Sequence, residues 1–136
     1  MPAHVTLLYP FAPVEDVDPA ALQAVFQDVE PFDYALRELR EWPDGVVYLD
    51  PEPAEPFIAL TKVLCERFPE YPPYGGLYGT IIPHVTVHHS ADDLVRADAG
   101  ASVARSLPIA CSASEAWLMH EVNGHWQRHT PLRLGP

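Results

Sequence analysis

The sequence predicts an α+β protein in which two mostly antiparallel sheets form a cleft with pseudo-twofold symmetry and the helices lie outside. The tripeptide His-Val-Thr occurs twice, beginning at His4 and at His84. The pattern of a strand, a helix and a hairpin follows in the same order in both halves of the chain. The two hairpin turns, Asp44-Gly45 and Asn123-Gly124, fall at nearly the same distance after the histidine of their own half. This matched spacing indicates a duplicated unit.

The first unit begins with the apolar run HVTLLY over residues 4–9, which predicts a strand that ends at Pro10. A helix follows, because Asp18 is a good N-cap and Pro19 suits the first helical position. Apolar residues then recur with the helical period, at Leu22, Val25, Phe26 and Val29. The segments FDYALREL and VVYLD flank WPDG, whose Asp-Gly pair predicts a hairpin.

A helix over about residues 56–68 and the loop PEYPPYGGLYG connect the two units. The second unit begins with HVTVHH, which again is typical of a strand. Ser90 and Asp93 resemble the capping box of a helix that runs toward Leu107, and Cys111 is expected in a strand. The segments ASEAWLMHEV and HWQRHTPLRL flank an Asn-Gly pair, the stronger of the two hairpin signals.

The chain of 136 residues is long enough for one domain with a core of its own. We expect two lobes, at about 1–53 and about 84–136, with the connecting helix and loop at about 54–83. Hydrophobic content of 48% and charged content of 20% are typical of a globular protein. We expect no signal peptide and no membrane span, and therefore a cytoplasmic protein whose Cys65 and Cys111 are reduced.

The net charge of −11 argues against binding of long nucleic acids. Affinity for a polyanion depends largely on Lys and Arg that neutralise phosphates, and here eight basic residues stand against 19 acidic ones. A phosphate ligand of this protein should therefore be a small molecule or a chain end.

A His-x-Thr motif on a strand places the imidazole and the hydroxyl on one face, because side chains alternate along a strand. If the lobes pack about a twofold axis, His4, Thr6, His84 and Thr86 converge on one cleft. One imidazole can remove a proton from an attacking oxygen while the other protonates the leaving oxygen. The hydroxyls can donate to phosphoryl oxygens. This set suits displacement at phosphorus and requires no metal or other cofactor.

The paired motifs resemble those of the two-histidine phosphoesterases, the superfamily of the 2′-5′ RNA ligases and RNA cyclic phosphodiesterases. The segments AHVTLLYPF, FPEYPPYGG and IPHVTV are similar to a bacterial branch of 2′-5′ RNA ligase family proteins, and the resemblance covers nearly the whole chain. It implies that His4 and His84 are the catalytic acid/base pair and that Thr6 and Thr86 bind the phosphate. It also implies a metal-independent reaction on a 2′,3′-cyclic phosphate or a 2′-5′ phosphodiester.

The first motif differs from the family pattern, which places a strand and a helix before it, whereas only three residues precede His4. We therefore expect the sheet that carries His4 to lack a partner strand. Such an edge can pair with another chain, which predicts either a homodimer or a natural protein that begins upstream with a loosened first strand here.

Other residues around the motifs have simpler interpretations. His88 is expected on the face of His84 and Thr86, where it can line the cleft, and His89 on the opposite face. A zinc site is the rival interpretation of HVTVHH, but on a strand His84 and His88 lie roughly 13 Å apart, too far to share one ion. Cys65 and Cys111 are better explained as packed thiols than as nucleophiles.

The connecting loop contains three tyrosines, Tyr71, Tyr74 and Tyr78. Either the loop only connects the two units, or these tyrosines stack on a nucleobase at the mouth of the cleft. Of these, Tyr74 and Tyr78 are the candidates for substrate contact, together with His88. Tyr9 and Phe11 are expected in the core.

The sequence thus predicts a metal-independent phosphodiesterase for small nucleotides or RNA termini. The alternative is a binding module of the same fold that holds nucleotides or RNA ends with little or no turnover.

Overall fold

The structure, a computed structural model, describes residues 3–76 and 79–136 and confirms the α+β class. Within these residues, three helices and six strands follow in the order α1 (Pro19–Gln27), β1 (Phe32–Glu41), β2 (Val46–Glu52), α2 (Glu55–Arg67), β3 (Val85–His89), α3 (Asp93–Ala104), β4 (Ile109–Ala113), β5 (Glu115–Val122) and β6 (His125–Arg133). A short 3₁₀ turn lies at Val14–Asp16, and an irregular turn at Pro73–Gly76 has positive φ angles of 52° at Tyr74 and 64° at Gly75.

The strands form two antiparallel sheets. Sheet A has four strands in the order β3-β2-β1-β4, and sheet B is the hairpin β5-β6. Sheet A thus combines the first hairpin with β3, which carries the second His-Val-Thr motif, and with β4. Both predicted hairpins are confirmed, and Asn123 and Gly124 adopt φ angles of 52° and 78°, as the tight turn requires.

Two apolar clusters form the core. The larger one packs α1 and α2 against sheet B and contains Phe26, Leu60, Leu118 and Leu132. The smaller one lies on sheet A around Leu36, Leu49 and Val85, with Val103 and Leu107 from the α3 region packed against it.

Side-chain caps begin α1 and α3, and the cap of α3 differs from the prediction. The carboxylate of Asp18 accepts a hydrogen bond from the Ala20 N–H, as expected of an N-cap. The cap of α3 is Asp92, which accepts from the N–H groups of Leu94 and Val95, and the Ser90 hydroxyl accepts from the Asp92 N–H. The expected capping box of Ser90 and Asp93 is therefore wrong, because the Asp92 carboxylate accepts hydrogen bonds from both N–H groups.

The expected strand over residues 4–9 is also wrong, because this segment has no regular secondary structure. Its adjacent side chains Leu7 and Leu8 both pack against the larger cluster, an arrangement that the alternation of a strand would prevent. The homodimer is predicted from an unpaired strand at His4, and residues 4–9 do not form that strand. The subunit count stays a prediction, which light scattering tests.

Candidate functional site

The first motif lines a large cavity. His4 is exposed and Thr6 is half-buried, and both border a cavity of about 860 Å³. Residues 3–9 form one wall of this cavity, and residues 115–121 of β5 form another.

Two hydrogen bonds hold the irregular segment of the first motif in place. The buried Thr61 hydroxyl of α2 donates to the Leu7 carbonyl at 2.7 Å. The Tyr74 N–H donates to the Tyr9 carbonyl at 2.6 Å. Backbone groups that a sheet neighbour would otherwise satisfy are thus bonded to a helix and to the connecting loop.

The second motif lies at the start of β3, where His84 is half-buried. The Nδ1 atom of His84 lies 2.8 Å from the carbonyl oxygen of Ile82. A carbonyl can only accept, so Nδ1 carries the hydrogen. In the neutral imidazole, Nε2 is then the unprotonated nitrogen and can accept a proton.

Two aromatic side chains of the first hairpin hold the His84 ring. Trp42 stacks on Tyr48 with ring centroids 3.8 Å apart and planes at 23°. The His84 ring meets Trp42 edge to face at 4.7 Å and Tyr48 at 5.9 Å. Sequence analysis missed Trp42 and Tyr48. They lie on either side of the Asp-Gly turn, and this position in the hairpin could have predicted that they are neighbours on one sheet.

The Tyr48 phenol remains protonated at neutral pH. Burial, and then the negative charge of Asp50, raise the pKa of Tyr48 above its ordinary value. Arg40 forms an ion pair with Asp50 and opposes this shift. The ring beside His84 is therefore neutral.

The strand register separates Thr86 from His88. Thr86 is exposed opposite Tyr48, whereas a bulge in β3 places His88 opposite Val47. Neighbouring residues of β2 point to opposite faces, so the expectation that His88 shares the face of Thr86 is wrong, while its contact with a substrate stays a prediction. His89 lies opposite Val46, and its Nε2 lies 3.2 Å from the Asp44 carbonyl oxygen.

Both motif segments contribute to the smaller apolar cluster. Val5 packs against the cluster that contains Val85. Thr6 also borders a small cavity shared with Ile82 and Pro83, the two residues before His84. His84 and Thr86 do not line the large cavity. The structure thus brings the motif segments together but places only the first motif in the cavity wall.

The candidate aromatic residues fall into two groups. Phe11 packs edge to face against Phe68 and Tyr71, which is a structural contact. Tyr9 is exposed, contrary to the expectation of a core position, and contacts Tyr74 and Trp126 at the cavity. Tyr78 lies outside the described residues. Trp126 is a further residue that sequence analysis missed.

The remaining polar candidates have ordinary surroundings. Cys65 and Cys111 are half-buried free thiols, and burial raises the pKa of Cys65, which disfavours its thiolate. In residues 3–76 and 79–136 there is no group of three or more His, Cys, Asp or Glu that could hold a metal ion. None of the described helices is long and apolar enough to cross a membrane.

Replacing Thr61 with Val should loosen the first motif. The half-buried Leu7 carbonyl would lose its donor, a cost of about 1 kcal/mol in the free energy of unfolding. We expect faster amide exchange over residues 4–9 but not over residues 84–89. The matched control is Thr61→Ser, which keeps the hydroxyl. Equal exchange rates in Thr61→Val and the parent would show that this bond does not anchor the segment.

Comparison with known proteins agrees with the α+β fold. The family model of the 2′-5′ RNA ligase superfamily matches residues 1–125, and the chain therefore belongs to this superfamily, that of the two-histidine phosphoesterases. No curated protein sequence matches the chain.

The solved structures that match share the fold at low sequence identity. Apo LigT from E. coli is 18% identical, with a TM-score of 0.67 over 98% of this chain and 77% of LigT. LigT complexed with 3′-AMP is 17% identical, with a TM-score of 0.61 over 97% of this chain and 76% of that one. A structure described as a phosphoesterase is 14% identical, with a TM-score of 0.57 over 98% of this chain and 78% of that one.

Proposed function

We propose that this protein is a metal-independent phosphodiesterase that acts on a 2′,3′-cyclic phosphate or a 2′-5′ phosphodiester of RNA ends or small nucleotides. The observation that carries the proposal is the hydrogen bond from His84 Nδ1 to the Ile82 carbonyl, within a chain of the 2′-5′ RNA ligase superfamily. That bond leaves Nε2 of the neutral ring as an acceptor, which is the state a general base needs.

In the proposed reaction on a cyclic phosphate, a phosphodiester binds between the two motifs. His84 Nε2 takes a proton from water as its oxygen bonds to phosphorus. The bond from phosphorus to one ribose oxygen breaks, and His4 donates a proton to that oxygen. The products are a ribose hydroxyl and a phosphomonoester, so atoms and charge balance. Thr6 and Thr86 donate to the nonbridging oxygens as negative charge increases there.

The size of the ligand follows from charge. With a net charge of −11, the protein surface repels a long polyanion, whereas a nucleotide or chain end needs only local donors. LigT, whose fold this chain shares, has been crystallised with 3′-AMP and with NADP⁺. These two complexes support a small nucleotide as the ligand class. We also propose that the protein works in the cytoplasm.

Incubation with 2′,3′-cyclic mononucleotides, and separately with a 2′-5′-linked dinucleotide, tests the proposal, with chromatography of the products. We expect turnover that persists in EDTA. Loss of activity in EDTA and its return with zinc would contradict the metal-free reaction. Binding of the nucleotides without turnover of either would favour the binding module instead.

A binding measurement with a long single-stranded RNA tests separately whether the negative net charge disfavours long nucleic acids. We expect weak binding at physiological salt, and a nanomolar dissociation constant would contradict it.

A further inference from the structure

One face of the β5-β6 hairpin carries side chains that the proposed reaction does not use. Trp126 lies opposite Glu121, and Arg128 lies opposite Met119. Trp126 and Arg128 therefore project from the same face of β6, roughly 6.6 Å apart along the strand. All four of these residues line the large cavity that also contains His4.

Trp126 offers an accessible aromatic surface. Its side chain meets Tyr9 edge to face, with centroids 5.9 Å apart and planes at 77°. An edge-to-face contact leaves at least one face of the indole uncovered by its partner, and Trp126 remains 37% and Tyr9 48% exposed. Exposed aromatic faces beside a phosphate site are the surfaces on which unpaired bases stack.

Arg128 offers the matching positive charge. Among the described residues that line the cavity it is the one Arg or Lys, and its guanidinium lies over the Trp117 ring at 5.0 Å. A guanidinium on an aromatic face can still direct its N–H donors to phosphate oxygens. The carboxylate of Glu121, opposite Trp126, disfavours a phosphate at the indole. The face therefore suits a base at Trp126 and a phosphate at Arg128.

We propose that Trp126, Tyr9 and Arg128 form a subsite for a second nucleotide, linked to the one that carries the reacting phosphate. This inference rests on the proposed function, because the cavity joins this face to His4 and Thr6. With this subsite, the preferred substrate is an RNA end of at least two nucleotides rather than a cyclic mononucleotide.

The test compares kcat/KM for adenosine 2′,3′-cyclic phosphate with kcat/KM for a diadenylate that ends in the same cyclic phosphate. The parent should prefer the diadenylate. Trp126→Ala and Arg128→Gln should each reduce that preference by about tenfold, the size expected for one base stack or one charged contact. Trp126→Phe should retain most of the preference. Arg105→Gln is the matched control, because Arg105 is an exposed C-cap residue at the end of α3 that does not line the cavity.

Calorimetric binding of diadenosine monophosphate, which has no cyclic phosphate, separates this inference from the proposed function. Turnover of both substrates with a preference unchanged in Trp126→Ala and Arg128→Gln would overturn the subsite alone. Binding that is lost in Trp126→Ala, without turnover of either substrate, would support the subsite and overturn the proposed function. The absence of both binding and turnover would overturn both.

Discussion

Replacing His4 or His84 with Ala is expected to reduce turnover of a 2′,3′-cyclic nucleotide by a factor on the order of 10² to 10⁴. Each substitution removes one of the two proton transfers while leaving the other motif in place. His84 is held by the Ile82 carbonyl and by the Trp42 and Tyr48 rings, so its loss would remove the proposed base together with its fixed orientation.

The pH dependence of the rate should differ between the two variants and thereby show which histidine is the general base and which is the general acid. A base must be unprotonated and an acid must be protonated, so the parent should show a bell-shaped rate profile. His84→Ala should lose the rise on the acidic side, and His4→Ala the fall on the alkaline side. The reverse pattern would exchange the two roles.

The control for both variants is His125→Ala, an exposed histidine at the start of β6 that does not line the cavity. We expect it to retain the parent activity. Circular dichroism should show all three variants folded. Activity within tenfold of the parent in either motif variant would contradict the paired acid and base.

Replacing Phe26 with Ala should destabilise the protein by about 3–5 kcal/mol. Phe26 is 2% exposed in the cluster that joins α1, α2 and sheet B, and its carbonyl accepts from the N–H groups of Val29 and Gly135. A domain has only about 5–15 kcal/mol of net stability. The midpoint of thermal unfolding should therefore fall by roughly 10–20 °C.

Leu94→Ala is the matched control, because Leu94 is 82% exposed on α3. Its effect should stay within about 0.5 kcal/mol of the parent. Chemical denaturation, monitored by fluorescence and by circular dichroism, measures both variants. A loss below about 1 kcal/mol in Phe26→Ala would show that α1 is not packed as described.

The helices and hairpins could be predicted because their signals are local. The Asp18 cap and the apolar period of α1 lie within a dozen residues, and the Asn123-Gly124 pair specifies a turn by its own backbone preference. The His-Val-Thr motifs and the superfamily could be recognised for the same reason, since their residue types and spacing are written in the chain.

The errors arose where distant contacts compete with a local pattern. The run at residues 4–9 has the composition of a strand, but Thr61 and Tyr74 supply its hydrogen bonds and one cluster takes both Leu7 and Leu8. The bulge that moves His88 to the other face depends on pairing between β2 and β3, which no feature of β3 alone reveals.

The sequence by itself therefore determined the α+β class, the hairpins, the helices and the chemistry available at His4, Thr6, His84 and Thr86. The tertiary structure decided which nitrogen of His84 can accept a proton and which aromatic rings surround it. It also brought Tyr9 against Trp126, from opposite ends of the chain. The reason is physical: pairing and packing between distant segments depend on the whole core, whereas caps and turns depend on neighbours.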